Sequence, residues 1–169
     1  NLIINDTDHA LLIKVASVPS ARMQVYFIDN EEYFKRKALT HDDNEAFYPD
    51  NDERALFFCR GVLETVRKLG WKPDIIHCHG WMTAFIPLYV RHFFNDDPHF
   101  EDAKLVYTAY DEQAETLDKD LAKKLTMEGF NKDLLKGLAK PTTEDLSKFA
   151  MGLCDAVAKG SPKLSRTME

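Results

Sequence analysis
The run Ile75-Ile76-His77-Cys78-His79-Gly80-Trp81 holds the densest group of chemically capable side chains in the sequence. Read as a strand it alternates, so His77 and His79 point to one side and Cys78 to the other. Two imidazoles at that spacing could begin a zinc site. A structural zinc site needs four ligands at about 2.0–2.3 Å, and the sequence supplies no Cys-x-x-Cys and no second close pair of histidines. No metal is expected. His77 then reads as a core histidine with a satisfied ring, and His79 as the one that reaches a cleft. Trp81 can stack on a sugar ring or plug the start of a helix against the sheet, and residue type does not choose between these. Tyr48 and Asn51 can shape a helix cap or touch a ligand. Arg54 can orient a ligand, although pairing with Asp50 on the surface is the plainer reading.

Other chemistries find no support. No serine sits on a Gly-x-Ser-x-Gly turn, no glycine-rich loop is present to cradle phosphate, and Cys59 and Cys154 fall in a helix and before a strand. The three cysteines are few, odd in number and widely spaced, which suits reduced thiols and a cytoplasmic setting. With 22 basic and 28 acidic residues the formal net charge is −6, which argues against nucleic acid as a partner. No apolar run approaches the ~20 residues of a membrane span, and the start lacks the pattern of a signal peptide. The opening at Asn1, without an initiator Met and almost directly into strand-like sequence, reads as a piece of something longer.

The elements that must position these side chains follow from pattern. Residues 10–16 and 23–28 are β-prone. A helix is expected from Asp50-Asn51-Asp52, where short polar side chains can cap free N–H groups, to Gly70. Its apolar face would be Ala55, Phe58, Val62, Val66 and Leu69. Residues 75–79, 105–109 and 156–158 read as short buried strands. Between them lie a helix over 83–94, helical sequence with Leu117, Leu121 and Leu125 aligned, and a helix opened by Thr142 and Asp145 as a capping box. Lysines and acids alternate from Lys119 to Lys140, as on exposed helix faces. Ser161-Pro162 would start a last helix. Strands separated by helices imply βαβ units, hence an α/β Rossmann-like parallel sheet with helices on both faces. Ligands in such sheets bind beyond the carboxyl ends of the strands. Here those ends carry His77 to Trp81, then Tyr110-Asp111-Glu112, then Gly160-Ser161-Pro162.

Three segments together resemble one family. Tyr26-Phe27-Ile28-Asp29-Asn30-Glu31-Glu32-Tyr33-Phe34 is similar to "YFIDNPEYF". Tyr48 to Phe58 is similar to "Y-x-D-N-x-x-R-F-x-x-F". Leu69 to Ala84, through Gly70-Trp71-Lys72-Pro73-Asp74-Ile75-Ile76-His77-Cys78-His79, is similar to "GWKPDIIHCHDWQTAL". Cys154 to Pro162 more loosely resembles "ADHITAVSP". These are motifs of bacterial glycogen synthases and plant starch synthases, enzymes of two Rossmann-like domains with the active site between them.

The resemblance implies transfer of glucose from ADP-glucose or UDP-glucose to the non-reducing end of an α-1,4-glucan, with retention and with no metal or other cofactor. The nucleotide sugar would be a substrate. Residues 1–169 would be one partial amino-terminal catalytic domain, lacking the family's Lys-x-Gly-Gly-Leu loop and the second, nucleotide-binding domain, and so inactive alone. His79, Trp81, Tyr48 and Asn51 would bind sugar. Gly80 and Tyr110 stand where the family has an aspartate and a histidine, so they occupy the catalytic positions with altered chemistry. Either this is a divergent branch with different contacts, or it is a glucan-binding or regulatory domain that kept the fold.

Overall fold
The computed structural model describes residues 1–138 and 141–168, so Lys140, the end of the expected alternating stretch, lies outside the described residues. Three short runs align in parallel: β5 (Ile75–His79), β6 (Lys104–Ala109) and β7 (Ala156–Lys159), in the order β5–β6–β7. His79 pairs with Thr108, and Thr108 with Ala158, so the three carboxyl ends lie side by side. Parallel neighbours need a crossover, and the connecting sequence supplies one in each case.

The crossover from β5 changes pitch three times. A 3-10 turn at Trp81–Thr83 leads into α3 (Phe85–Leu88) and then a π turn at Tyr89–Phe93. The Phe94 N–H donates to the Tyr89 carbonyl at 2.8 Å, five residues back. After β6 come α4 (Leu121–Met127) and α5 (Thr143–Gly152). Leu117, Leu121 and Leu125 are all buried, but Leu117 precedes α4, its N–H donating to the Pro141 carbonyl instead. The capping box of α5 is complete, with Thr142 and Asp145 each accepting the other's N–H. Ser161-Pro162 does not open a helix: residues 161–168 form bends and turns. The Ser161 Oγ is used to accept the Asp111 N–H at 2.9 Å.

The two amino-terminal β-prone runs stay outside the parallel sheet. β3 (Leu12–Val18) and β4 (Met23–Asp29) pair antiparallel over seven residues, because the link between them is too short for a crossover. Ahead of them β1 (Leu2–Ile4) and β2 (Thr7–His9) form a second hairpin, turned by Asn5 and Asp6 at positive φ. One turn of helix, α1 (Glu31–Phe34), follows β4, capped by Asn30. Then α2 (Asn51–Lys68) runs through the middle of the molecule.

The centre of α2 explains why its expected face is not its deepest one. It packs on β1, β4 and α3 at once, so Leu56, Phe57, Cys59 and Leu63 are buried along with Ala55. Phe58, Val62 and Val66 are only partly buried, and Leu69 is 45% exposed. At its start Asp50 caps nothing. Its carboxylate takes two N–H groups of Arg36 at 2.9 and 2.5 Å. Arg54 is therefore not Asp50's surface partner. It is 2% exposed and donates to the carbonyls of Tyr33 and Leu39 and to Asn51 Oδ1. Nearby, Lys124 Nζ lies within 2.9 Å of Asp52, Glu53 and Asp118.

Helices lie against one face of the parallel sheet, where Cys78 and Tyr107 are buried and Tyr107 Oη donates to Ser147 of α5. On the other face, among the described residues, Ile75, His77 and His79 meet solvent. His77 is thus not a core residue: β5 is an edge strand with its second side open. All three thiols are free. Burial pushes Cys78 up to about 12 and Cys154 to about 11, and it raises the Cys59 thiol as well. No helix among the described residues is long and apolar enough to cross a membrane.

Candidate functional site
At the carboxyl ends of β5, β6 and β7 three loops meet. His79 closes β5, and its Nδ1 lies 2.9 Å from the Tyr110 hydroxyl beyond β6. The His77 and His79 rings stack at 4.1 Å between centroids, and His77 Nε2 meets the Thr108 hydroxyl at 2.7 Å. Two imidazoles on one side of a strand thus hold each other and the neighbouring strand. Among the described residues no group of three His, Cys, Asp or Glu is placed to hold a metal ion.

Gly80 continues the β5 sheet contact, its N–H donating to the Thr108 carbonyl at 3.1 Å, and then turns with φ 71° and ψ 174°. That backbone region is open essentially to glycine alone. A Cβ there would also stand 3.0 Å from Glu112 Oε1 and 3.3 Å from Oε2. The Glu112 carboxylate therefore sits in the notch that the glycine leaves. Its Oε2 accepts the Trp81 N–H at 3.2 Å. Burial raises the Glu112 pKa above the ordinary value, with the Trp81 N–H opposing.

Tyr110 is held by a second glycine. The Gly160 N–H donates to the Ala109 carbonyl at 2.7 Å, and a Cβ at Gly160 would lie 2.5 Å from the Tyr110 ring. The loop from 110 to 117 is tied to the start of α5, the Glu115 N–H donating to Thr143 Oγ1 and the Thr143 N–H to the Glu115 carbonyl. A shallow depression opens here between Trp81, Tyr110, Glu112, Thr143 and Ser147. Its lining, which also includes Asp111, Glu144, Ser165 and Met168, contains no Lys or Arg among the described residues.

The six residues singled out from sequence divide clearly. His79, Gly80 and Tyr110 come together at the strand ends. Trp81 borders the same depression but is 5% exposed, packed at 5.8 Å against Phe47, which fills the start of the helical segment. Asn51 is fully buried, with its amide donating to the Thr40 carbonyl and accepting from Arg54, so its groups are spent on holding the loop before α2. Tyr48 lies under the Arg36 and Arg54 guanidinium groups, at 4.6 and 5.3 Å. Glu112 and Gly160 were not singled out. The available signal was their place in the Tyr110-Asp111-Glu112 and Gly160-Ser161-Pro162 loops. A wider open groove lies elsewhere, bounded by Ile13, Val15, Tyr26, Arg60 and Phe93, and it contains none of these residues.

Comparison with known proteins gives a consistent picture. The family model described as starch synthase catalytic domain matches residues 4–168. The glycogen synthase of Chlorobaculum tepidum is 35% identical over 182 aligned residues, covering 98% of this chain and 36% of that protein. The glycogen synthase of Chlorobium limicola is 43% identical over 108 residues, 63% of this chain and 22% of that protein. Among solved structures, the catalytic domain of starch synthase IV from Arabidopsis thaliana, bound to ADP and acarbose, superposes with a TM-score of 0.70 at 22% identity. That match covers 91% of this chain and 31% of that one. The likeness at that identity is one of fold, the Rossmann-like layer expected from the alternation of strands and helices. The chain spans about a fifth to a third of the length of the curated relatives it matches.

Proposed function
The chain belongs to the starch synthase catalytic domain family, and from that premise we propose that it is the acceptor side of a cytoplasmic, glycogen-synthase-like glucosyltransferase. The whole protein would transfer glucose from ADP-glucose or UDP-glucose to the non-reducing end of an α-1,4-glucan with retention, using no cofactor. The observation that carries this assignment is the set of polar side chains at the sheet's carboxyl ends, where His79 and Tyr110 lie in contact beside Glu112.

The chemistry of that set suits a neutral, hydroxyl-rich ligand. A phenol and an imidazole both donate and accept hydrogen bonds, which matches sugar hydroxyls. The acid- and hydroxyl-lined depression, without Lys or Arg among the described residues, does not suit a diphosphate. The donor's phosphates would be held elsewhere, while these loops orient the glucan end. In such a transfer the barrier falls by positioning the attacking hydroxyl and by groups aimed at developing charge. The 169 residues contain no Lys-x-Gly-Gly-Leu, so this chain by itself is expected to bind without turnover.

A glucan-binding domain without catalysis is the second reading, favoured by Gly80 and Tyr110 standing where the motifs carry an acid and a histidine. An NMR titration of the chain, once with maltoheptaose and once with ADP-glucose, tests the shared premise. Shifts at His79 and Tyr110 with the glucan and little response to the nucleotide sugar are expected. No response to maltoheptaose, or a stronger response to ADP-glucose at these residues, would sink it. Labelled-glucose incorporation by the longer parent then separates enzyme from binding domain.

A further inference from the structure
We infer that Glu112 is a glucan-binding carboxylate of this site, lodged against Gly80 from the neighbouring loop and accepting hydrogen bonds from sugar hydroxyls. The inference rests on the acceptor-side reading above and adds the group that does the binding.

The geometry builds the case from the backbone outward. Gly80 adopts a conformation that side chains disfavour, and the turn after β5 here carries no acid of its own. The space above that glycine is instead filled by Glu112, whose two oxygens lie 3.0 and 3.3 Å from where a Cβ would be. The "HDW" motif quoted above has its acid in the sequence at this turn. Here an acid reaches nearly the same place across the gap between two strand ends.

The hydrogen-bond inventory of Glu112 is half complete. Oε2 takes the Trp81 N–H, which fixes the carboxylate's position. Among the described residues Oε1 accepts no hydrogen bond and no cation pairs with the group. A carboxylate is acceptor-only with about four lone-pair sites, and Glu112 is exposed, so its remaining sites face solvent and are available to a ligand. Sugar hydroxyls are donors of the right kind, and Tyr110 and His79 stand beside it to engage the same ring. Glu112 itself is exposed at the edge of that depression, so a sugar can reach it from solvent.

The competing explanation is that Glu112 merely serves the Trp81 N–H. Glu112→Gln separates the two, because the amide carbonyl can still accept from Trp81 while the charge is lost. The measurement is maltoheptaose affinity of the whole chain by NMR titration, with a urea melt of each variant. We expect Glu112→Gln to weaken binding about tenfold, the difference between charge-assisted and neutral hydrogen bonds, with an unchanged urea midpoint. Glu112→Asp, which keeps the charge but withdraws it by one methylene, should weaken binding similarly, and it decides the matter if the Gln variant fails to fold. Wild-type binding with both folded variants binding equally well overturns the role of Glu112 and leaves the acceptor-side reading intact. A wild-type chain that does not bind maltoheptaose overturns both.

Discussion

Gly160→Ala adds one methyl group at a point where three strand ends converge, and its consequences can be worked through. The new carbon would stand 2.5 Å from Tyr110 Cε1, 2.8 Å from Tyr110 Cδ1 and 2.6 Å from Thr108 Cγ2. Carbon atoms in contact prefer about 3.5–4.0 Å, so something must retreat by about 1 Å. Thr108 is buried on the central strand and has little room, whereas the Tyr110 ring is half-buried in a loop and can swing out. That swing takes the Tyr110 hydroxyl from 2.9 Å to beyond the ~3.5 Å at which a contact with His79 is still a hydrogen bond. Overpacking of this kind costs about 1–3 kcal/mol, and the lost, partly solvated hydrogen bond about 0.5–1.5 kcal/mol. Ring displacement relieves part of the clash, so the net loss should be about 2 kcal/mol, or about 4–8 °C in Tm for a chain of this size. Gly152→Ala is the matched control. It lies in α5 with nothing within 4 Å of its Cβ position, and should be neutral or stabilising by up to about 1 kcal/mol. Thermal melts and the ring-nitrogen resonances of His79 read the two effects. If Gly160→Ala melts within about 0.5 kcal/mol of wild type and leaves the His79 ring resonances where they were, the packing argument fails.

Three further outcomes follow from charges the fold has paired. Arg54→Ala should cost about 3 kcal/mol or more in urea unfolding, because it strands two carbonyls and the Asn51 amide in the interior. A loss under about 1 kcal/mol would show that water reaches them. Lys124→Met should destabilise by about 3–5 kcal/mol, since it strands the buried Asp52 carboxylate, whose Oδ2 pairs with Lys124 and whose Oδ1 has no hydrogen-bond partner among the described residues, and adding Asp52→Asn should restore part of that loss. Finally, the Leu105 N–H and the Arg91 guanidinium hold the Asp155 carboxyl below the usual carboxylate value. A depressed acid stabilises the fold above its unfolded value, about 3.9, and that contribution disappears as pH falls through the lower folded value. Asp155→Asn should therefore flatten the acid limb of a stability–pH curve below about pH 4, and an unchanged limb would count against the Leu105 and Arg91 contacts.

Much of the fold was legible because its signals are local. The three parallel strands, the span of α2 and the Thr142–Asp145 capping box each follow from a few adjacent residues, and each is found within a residue or two. What failed depended on surroundings. The Ala55–Leu69 stripe was a sound amphipathic pattern, but α2 is enclosed on several sides, so periodicity lost its meaning. His77 was read as core, yet the sheet face it points to meets solvent. Ser161-Pro162 has helix-start chemistry that was diverted when Ser161 accepted the Asp111 N–H. At the site, His79, Gly80 and Tyr110 were visible from motif position. Glu112 was not, since its meaning depends on an empty space above a glycine thirty-odd residues earlier, which no linear pattern records.

The three thiols, two buried and one half-buried, give the molecule a clock. Only thiolate reacts with disulfide reagents, and with Cys78 held near 12 and Cys154 near 11 almost none exists in the native state at neutral pH. Labelling of the buried Cys59 and Cys78 should therefore wait for the protein to open. Cys154, half-buried where α5 meets β7, reports local fraying at that junction. Cys59, at the centre of α2 with its thiol donating to the Met82 carbonyl, is released only when the hairpins, α2 and the crossover after β5 come apart together. The order in which the three react thus reads out the hierarchy of stability inside the fold without any introduced probe.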